Sequence, residues 1–307
     1  MQSRFLDPKN DFAFKKVFAS EQNKDILIHF LNDILDHQHI GQIQSVEFLP
    51  TINNPEIAAK KQSILDVMCQ DDQGMYYIVE IQVDSTAGFE KRAQYYAAKA
   101  YANQMNKGEA YENLKEVIFI AITDFILFPD KEAVKSDHIL LDKQTKSHDL
   151  RDLYFTFIEL PKFTKAIHEL ESITDKWYYY LKHAPETITD AYKALIKNAP
   201  IIQRAYEELD RFNWSEKELN TYEKVLKRDR DNAAALRYKL QKAEEQGIEK
   251  GREEGREEGR EEGEKSKTLS IARNMLFDLH LELAMVAKAT GLSKEELDKL
   301  QEEGATS

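Results

Sequence analysis

The spacing of apolar residues changes along the chain from helical to strand-like and then back to helical. Between Asn23 and Leu35, apolar side chains recur at positions 26, 27, 30, 31, 34 and 35, which places them on one helical face. Strand-length apolar runs follow at 43–49, 63–70, 75–83, 117–123 and 154–160, and 89–105 has helical spacing. This order of elements predicts an α/β domain with a mixed sheet.

The C-terminal half of the chain has helical patterns throughout. From Phe163 to Glu245, Pro185 and Pro200 separate the helices of a predicted subdomain. In the tail, glycines stand four residues apart at 247, 251, 255, 259 and 263, and Gly-Arg-Glu-Glu repeats three times in 251–262. Glycine within a helix costs about 1 kcal/mol relative to alanine, so a helical tail needs contact with another helix, and a charged, partly disordered linker is the alternative. We expect four parts: 1–163, the helical subdomain 164–245, the repeat 246–265 and a helical association module 266–307.

Charge and composition limit the class of protein. The 43 Lys and Arg residues and 55 Asp and Glu residues give a formal net charge of −12, which argues against coating nucleic acid or an anionic membrane through bulk attraction. The single cysteine, Cys69, excludes an internal disulfide framework and a cysteine zinc cluster. No apolar run approaches the roughly 18 residues of a membrane span, and the N-terminus lacks an apolar signal region, so we expect a cytoplasmic protein without membrane association.

Two acidic residues, Asp66 and Glu80, stand inside apolar strand patterns. Acidic residues are depleted in strands, and an unpaired buried carboxylate is costly. The turn-forming sequence 71–74 predicts a β-hairpin with the three-residue loop 72–74, in which Gly74 adopts the left-handed conformation. Asp66 then faces Glu80, and directly opposed residues have Cβ atoms roughly 4.5–5.5 Å apart.

A cation between these two carboxylates would offset their repulsion. Carboxylate oxygens with water are the ligands that Mg²⁺ and Mn²⁺ prefer, and such a metal polarises a phosphodiester and activates a bound water. Gln82 projects from the same face as Glu80 and can orient that water or contact a phosphate. An exposed edge hairpin with polar side chains facing solvent is the alternative.

The same residues carry a family resemblance. Asp66 followed by Glu80-Ile81-Gln82 is similar to the PD-(D/E)xK nuclease pattern, with glutamine in place of the usual lysine. The surrounding sequence resembles the recombination-promoting nuclease (Rpn) family, whose members are PD-(D/E)xK nuclease family transposases. The segments that carry this resemblance are 11–18, 65–67, 79–82, 92–96, 108–111, 158–163, the glycine repeat, 271–276 and 290–293. The resemblance therefore covers nearly the whole chain.

The resemblance implies a restriction-endonuclease-like core and a metal-dependent DNA endonuclease, a hydrolase of phosphodiester bonds. It links the protein to recombination, to mobile elements and to phage defence. It also implies that Asp66 and Glu80 bind Mg²⁺ or Mn²⁺, with the Ile81 backbone carbonyl as a third ligand. Gln82 is then the last catalytic position of the motif. The alternative is a catalytically inactive DNA-binding or oligomerisation protein that retains the fold.

Because Gln82 carries no positive charge, another cation is needed to stabilise the transition state. The basic candidates, which are also candidate DNA phosphate contacts, are Lys15, Lys60, Lys61 and Arg92. Arg92, Tyr95 and Lys99 share one helical face, which predicts either phosphate contacts or a tyrosine packed on the sheet with solvated charges. Asp11, in the first helix, is either an auxiliary acidic ligand or a helix cap, and we favour the cap.

The tail beyond residue 245 has two candidate roles, DNA recognition and self-association. The segment 282–300 resembles two helices of a helix-turn-helix, but its second helix carries a surplus of acidic residues that would repel DNA. We therefore expect the protein to form a homo-oligomer through this tail.

Overall fold

The computed structural model describes residues 3–35, 41–50, 65–105 and 110–305. The basic candidates Lys60 and Lys61 lie outside these ranges. Contacts within the chain divide it into two units, Met1–Arg228 and Asp229–Ser307. The part boundaries expected after residues 163, 245 and 265 stay predictions.

The described residues of the first unit are centred on a six-stranded sheet. Its strands are β1 (Val46–Phe48), β2 (Val67–Asp71), β3 (Tyr76–Gln82), β4 (Val117–Thr123), β5 (Lys135–His138) and β6 (Leu153–Glu159). The strand order is β1-β2-β3-β4-β6-β5, in which β3, β4 and β6 run parallel and the other neighbouring pairs are antiparallel. The mixed sheet that the strand pattern predicts is confirmed.

The edges of the sheet differ most from the prediction. β1 is shorter than the predicted run 43–49, whereas the central strand β4 has the predicted bounds. The sequence pattern does not predict β5, because Lys135–His138 contains no apolar residue. β5 is held at the edge by antiparallel pairing with β6, so backbone hydrogen bonding rather than side-chain burial defines it.

Helices cover both faces of this sheet. The helices that begin in the first unit are α1 (Asp11–Phe18), α2 (Lys24–Ile34), α3 (Phe89–Ala102), α4 (Ile173–His183), α5 (Thr189–Ile196), α6 (Pro200–Leu209) and α7 (Glu216–Phe277). Helix α3 packs on one face against Ile78 and Phe119. The other helices share a core with the opposite face, where Cys69 and Val79 lie. Cys69 is fully buried, as expected for a core residue.

The β2–β3 hairpin has the predicted loop and register. Gly74 has a φ of +88°, a left-handed conformation that glycine adopts without steric cost. The Asp71 N–H donates to the Met75 carbonyl over 3.0 Å, which closes the loop. Val67 pairs with Val79 at the far end of the ladder, so the next positions in this register are those of Asp66 and Glu80.

The second unit is helical in its described residues. Helix α7 continues through Arg228 and includes all five repeat glycines, so the repeat is helical and is not a disordered linker. Helices α8 (Leu283–Thr290) and α9 (Lys294–Ala305) follow it. They pack with the end of α7 around a small apolar cluster that contains Ala272, Val286 and Leu297. In the described ranges, no helix has both the length and the apolar character needed to cross a bilayer.

Candidate functional site

Asp66 lies in a bend directly before β2, one residue outside the strand in which the pattern places it. Its side chain is only 9 % exposed. Oδ2 accepts a hydrogen bond from the Ile81 N–H over 2.9 Å, so β3 fixes the orientation of the carboxylate. Oδ1 lies 3.4 Å from Lys15 Nζ, which α1 brings from the other side. The bend therefore places Asp66 between the end of the hairpin and the first helix.

The helix cap expected of Asp11 is provided instead by Asn10. The Asn10 side chain accepts hydrogen bonds from the backbone N–H groups of Phe12 and Ala13, as N-cap residues do. Asp11 is the first helical residue, and its carboxylate pairs with Lys15 Nζ over 2.7 Å. Lys15 Nζ also lies 3.4 Å from Asp66 Oδ1, so the two acids meet at the same ammonium group. The structure thus brings Asp11 to Asp66, and the capping expectation is wrong.

The pKa values of Asp11 and Asp66 shift in opposite directions. Burial, followed by the hydrogen bond with Asp11, raises the pKa of Asp66 to about 7. Burial alone would also raise the pKa of Asp11, but the hydrogen bonds with Lys15 and Asp66 lower it. Two close carboxyl groups avoid ionising together in this way, because like charges repel. Lys15 offsets the remaining negative charge.

Glu80 points to the sheet face that α3 covers, and its side chain is 10 % exposed. Arg92 of α3 reaches it, and Arg92 Nη2 donates to Glu80 Oε1 over 2.5 Å. The same nitrogen lies 2.5 Å from Gln82 Oε1. Burial raises the pKa of Glu80, and the Arg92 guanidinium opposes this shift. The positive charge of Arg92 therefore lies beside the motif position where lysine is usual.

Two buried polar atoms at this site have no hydrogen-bond partner among the described residues, Glu80 Oε2 and Arg92 Nε. In the described ranges, no group of three or more His, Cys, Asp or Glu residues is arranged to hold a metal ion. Mg²⁺ does not need such a group, because it commonly keeps several waters and uses one or two carboxylates. The unpartnered Glu80 oxygen and the Asp66 carboxylate are the hard oxygen donors that this ion takes, so the residues fit it.

The other predicted contacts on α3 divide into two groups. Arg92 turns inward to the carboxylates, whereas Tyr95 is 52 % exposed. Lys99 Nζ lies 5.9 Å from the centre of the Tyr95 ring, a cation–π contact on the surface. Tyr96, and not Tyr95, packs on the sheet. An aromatic and a basic group are therefore available to a ligand along the outside of α3.

A third buried acid, Glu159, lies outside the predicted site. Its carboxylate is fully buried and accepts hydrogen bonds from the backbone N–H groups of Leu127 and Phe128, and Lys162 pairs with it over 2.6 Å. The signal that identifies Asp66 and Glu80, an acid within an apolar strand, is present here too. Glu159 holds the loop after β4 in place and does not meet the other two acids.

The chain matches a known protein family. The family model of the PD-(D/E)XK nuclease family transposases matches residues 8–239, about three quarters of the chain. No curated protein and no solved structure matches the chain. The matched range includes the hairpin, α3 and the whole sheet.

Proposed function

Because the chain belongs to the PD-(D/E)XK nuclease family transposases, we propose that it is a metal-dependent DNA endonuclease whose divalent metal is held by Asp66 and Glu80. The observation that carries this proposal is the buried Glu80 carboxylate, of which Oε1 is paired with Arg92 and Oε2 has no partner among the described residues. An unpaired buried carboxylate oxygen is costly unless a ligand satisfies it. The ligand that a family of nucleases calls for at this place is Mg²⁺ or Mn²⁺.

When bound, Mg²⁺ or Mn²⁺ polarises the phosphodiester and lowers the pKa of a bound water. Asp66, Glu80 and the Ile81 backbone carbonyl are the proposed ligands. The Ile81 N–H keeps Asp66 oriented through its bond to Oδ2, so the hairpin presents a fixed donor set. Such preorganisation matters because donor atoms that are already in place need no rearrangement during the reaction.

Arg92 supplies the positive charge that Gln82 cannot. Gln82 Oε1 and Glu80 Oε1 both accept from Arg92 Nη2, so the two motif residues orient the guanidinium. We assign Gln82 this orienting role, and we assign Arg92 the stabilisation of charge on the phosphate in the transition state. Lys15 balances the acidic pair Asp11 and Asp66 on the other side.

DNA is the proposed substrate, and its affinity must come from a local surface because the whole chain carries a formal net charge of −12. Phosphate contacts are provided by basic side chains near the scissile bond. Lys99 and the exposed Tyr95 on α3 are the candidates that the structure describes, and Lys60 and Lys61 are further candidates. Binding should be weak without the metal, since the carboxylates would then face the phosphate directly.

One observation favours the alternative, a catalytically inactive DNA-binding or oligomerisation protein. Each acid already meets a cation of the chain, Asp66 through Lys15 and Glu80 through Arg92. Such pairs offset buried charge without any metal. An inactive protein that keeps the fold would need no further ligand at this site.

Cleavage of supercoiled plasmid DNA separates the two functions. The wild-type protein should nick the plasmid in Mg²⁺ and stop when the metal is chelated. Glu80→Ala should lower the rate at least about a hundredfold, because several kcal/mol of transition-state stabilisation depend on the metal. Glu47→Ala, at an exposed position on β1, is the matched control and should cleave normally. Undiminished cleavage by Glu80→Ala would reject the site, and no cleavage by the wild type would favour the inactive protein.

We also propose that the second unit makes the protein a homo-oligomer. The helical repeat supports this, because an isolated helix with five glycines in 247–263 is intrinsically unfavourable. A second helix in contact with the glycines would offset that cost.

A further inference from the structure

A groove of about 300 Å³ lies between α3 and the β5–β6 edge of the sheet. Glu90 and Gln94 line it from α3. Phe155 and Phe157 line it from β6, and His138 from β5. Phe128, in the loop that Glu159 holds, lines it together with the exposed apolar residues Ile139 and Leu140. The groove therefore belongs to the first unit and contains none of the proposed metal ligands.

The inner surface of this groove is aromatic. The ring centres of Phe128 and His138 are 4.9 Å apart, and those of Phe128 and Phe157 are 5.1 Å apart. His138 is also 5.2 Å from Phe157, so three rings contact one another. Phe128 and His138 are only partly buried, and their rings are therefore in part accessible. Flat aromatic walls are suited to a flat ligand that stacks.

Polar groups surround these rings. Lys131 Nζ lies 4.9 Å from the centre of the Phe128 ring and 3.1 Å from His138 Nε2. Burial, and then the nearby Lys131 charge, lowers the pKa of His138, which favours its neutral form. On the α3 side, the Glu90 carboxylate and the Gln94 amide provide hydrogen-bonding groups. The groove thus combines stacking surfaces, an edge that can hydrogen-bond and a cation at the rim.

The groove opens on the same side of the sheet as Glu80. Glu80, Ala121 and Phe157 are neighbours across the parallel strands β3, β4 and β6. With strands roughly 4.8 Å apart, Phe157 lies about 10 Å from Glu80 along the sheet. Helix α3 borders both places, since Arg92 meets Glu80 while Glu90 and Gln94 line the groove. A nucleotide near the scissile phosphate is therefore within reach of both the groove and Glu80.

We propose that this groove receives an unstacked nucleobase of the DNA strand that the protein cleaves. The inference rests on the proposed function, because it takes DNA as the substrate. Enzymes that hold a base outside the helix stack it on aromatic side chains and bind its edge by hydrogen bonds. Phe128 and His138 provide the stacking surface, and Glu90 and Gln94 face the base edge. Lys131 at the rim is placed for the phosphate of the same nucleotide.

Oligonucleotide binding by the full-length protein tests this proposal. Fluorescence anisotropy compares a short labelled single strand with an abasic strand of the same length, with Ca²⁺ in place of Mg²⁺ to prevent cleavage. Because stacking contributes about 1–3 kcal/mol per base, the strand with bases should bind at least about fivefold more tightly. The ratio of the two affinities, strand with bases over abasic strand, should fall toward one in Phe128→Ala and in His138→Ala. The affinity for the abasic strand should stay unchanged. Phe212→Ala, which removes an aromatic ring that is 85 % exposed and outside the groove, is the matched control and should keep the ratio.

Three results would overturn the proposal. The first is a wild-type protein that binds both strands equally, which leaves the nuclease function intact. The second is an unchanged affinity ratio in both Phe128→Ala and His138→Ala, which would place base recognition outside the groove. His138→Ala keeps this test valid if Phe128→Ala fails to fold. The third is a wild-type protein that binds neither strand and cleaves no plasmid, which rejects the proposed function as well.

Discussion

Glu80 uses its two carboxylate oxygens differently. Oε1 accepts from Arg92, and Oε2 has no partner among the described residues. A guanidinium on one oxygen lets a buried carboxylate stay charged, and the other oxygen remains available to a metal. Asp66 differs from Glu80, because the Ile81 N–H donates to one of its oxygens and Lys15 Nζ lies 3.4 Å from the other. In the proposed mechanism, the metal takes the free Glu80 oxygen while Arg92 stays on the other one.

Arg92 can be tested by substitution. Arg92→Met should lower the rate of plasmid cleavage about 10²–10³-fold, the usual effect of removing a transition-state donor. Arg92→Lys should restore only part of the rate, because the two bonds come from the terminal nitrogen Nη2, which the shorter lysine side chain cannot replace at the same position. Lys91→Met changes the charge at the exposed neighbouring position and should leave the rate unchanged. A normal rate in Arg92→Met would remove Arg92 from the proposed mechanism.

Sequence reasoning identifies the site acids but not their contacts. Asp66 and Glu80 can be predicted as site residues because a carboxylate within an apolar strand is costly unless a partner compensates its charge. The contact between Lys15 and Asp66 cannot be found in this way, because it depends on how α1 packs against the sheet. For the same reason the local sequence favours Asp11 as the helix cap, a role that Asn10 fills in the structure.

At the scale of elements, turn chemistry decides how much can be predicted. The sequence 71–74 determines the loop, and the loop determines which residues of β2 and β3 pair. This is why the hairpin register is correct at every pair. β5 has no comparable signal, since its four residues are polar and the segment 139–152, rather than a tight turn, connects it to β6. The aromatic groove depends on β5, and so it could not be predicted.

The start of α7 is tied to α1 by an ion pair. Lys16 Nζ donates to Glu218 Oε1 over 2.5 Å, and Glu218 Oε2 accepts from the N–H of Ser215 over 2.8 Å. The hydrogen bonds from Lys16 and then from Ser215 lower the pKa of Glu218 to about 2. A folded-state pKa below the ordinary value means that these bonds stabilise the fold above about pH 4.5. This stabilisation is lost as the pH falls toward 2.

Glu218→Gln should therefore lower the free energy of unfolding by about 1 kcal/mol at pH 7, the usual value of a helix N-terminal hydrogen-bond network. Denaturant unfolding of both proteins at a series of pH values measures this loss of unfolding free energy. The difference from the wild type should shrink below about pH 4.5. Glu216→Gln, an exposed neighbour in the same first turn, should have little effect. A difference that stays constant down to pH 2 would contradict the ionic explanation.

At the scale of the whole molecule, net charge and local charge differ. The formal charge of −12 excludes bulk attraction to DNA but not a site built from a few cations and a metal. The mixed sheet could be predicted because its central strands are apolar and bounded by turns. The single helix from Glu216 to Phe277 could not, because glycine propensity argues against it.

The proposed oligomer predicts two changes in mass by light scattering. Full-length protein should be larger than a monomer, and a chain shortened to residues 1–245 should be a monomer. Gly251→Leu with Gly255→Leu should also weaken association, because the added side chains block close approach of a second helix. A Cβ added at either glycine has no other atom of the chain within 4 Å, so the helix itself should tolerate both substitutions. An unchanged oligomeric state of residues 1–245 would reject the role of the tail.

The central claim is that Asp66 and Glu80 hold the divalent metal, and calorimetric titration with Mn²⁺ tests it most directly. Wild-type protein should bind the ion, Asp66→Asn and Glu80→Gln should each abolish this binding while keeping the melting temperature, and Glu47→Gln should bind as the wild type does. Full Mn²⁺ affinity in Glu80→Gln, or none in the wild type, would contradict the claim.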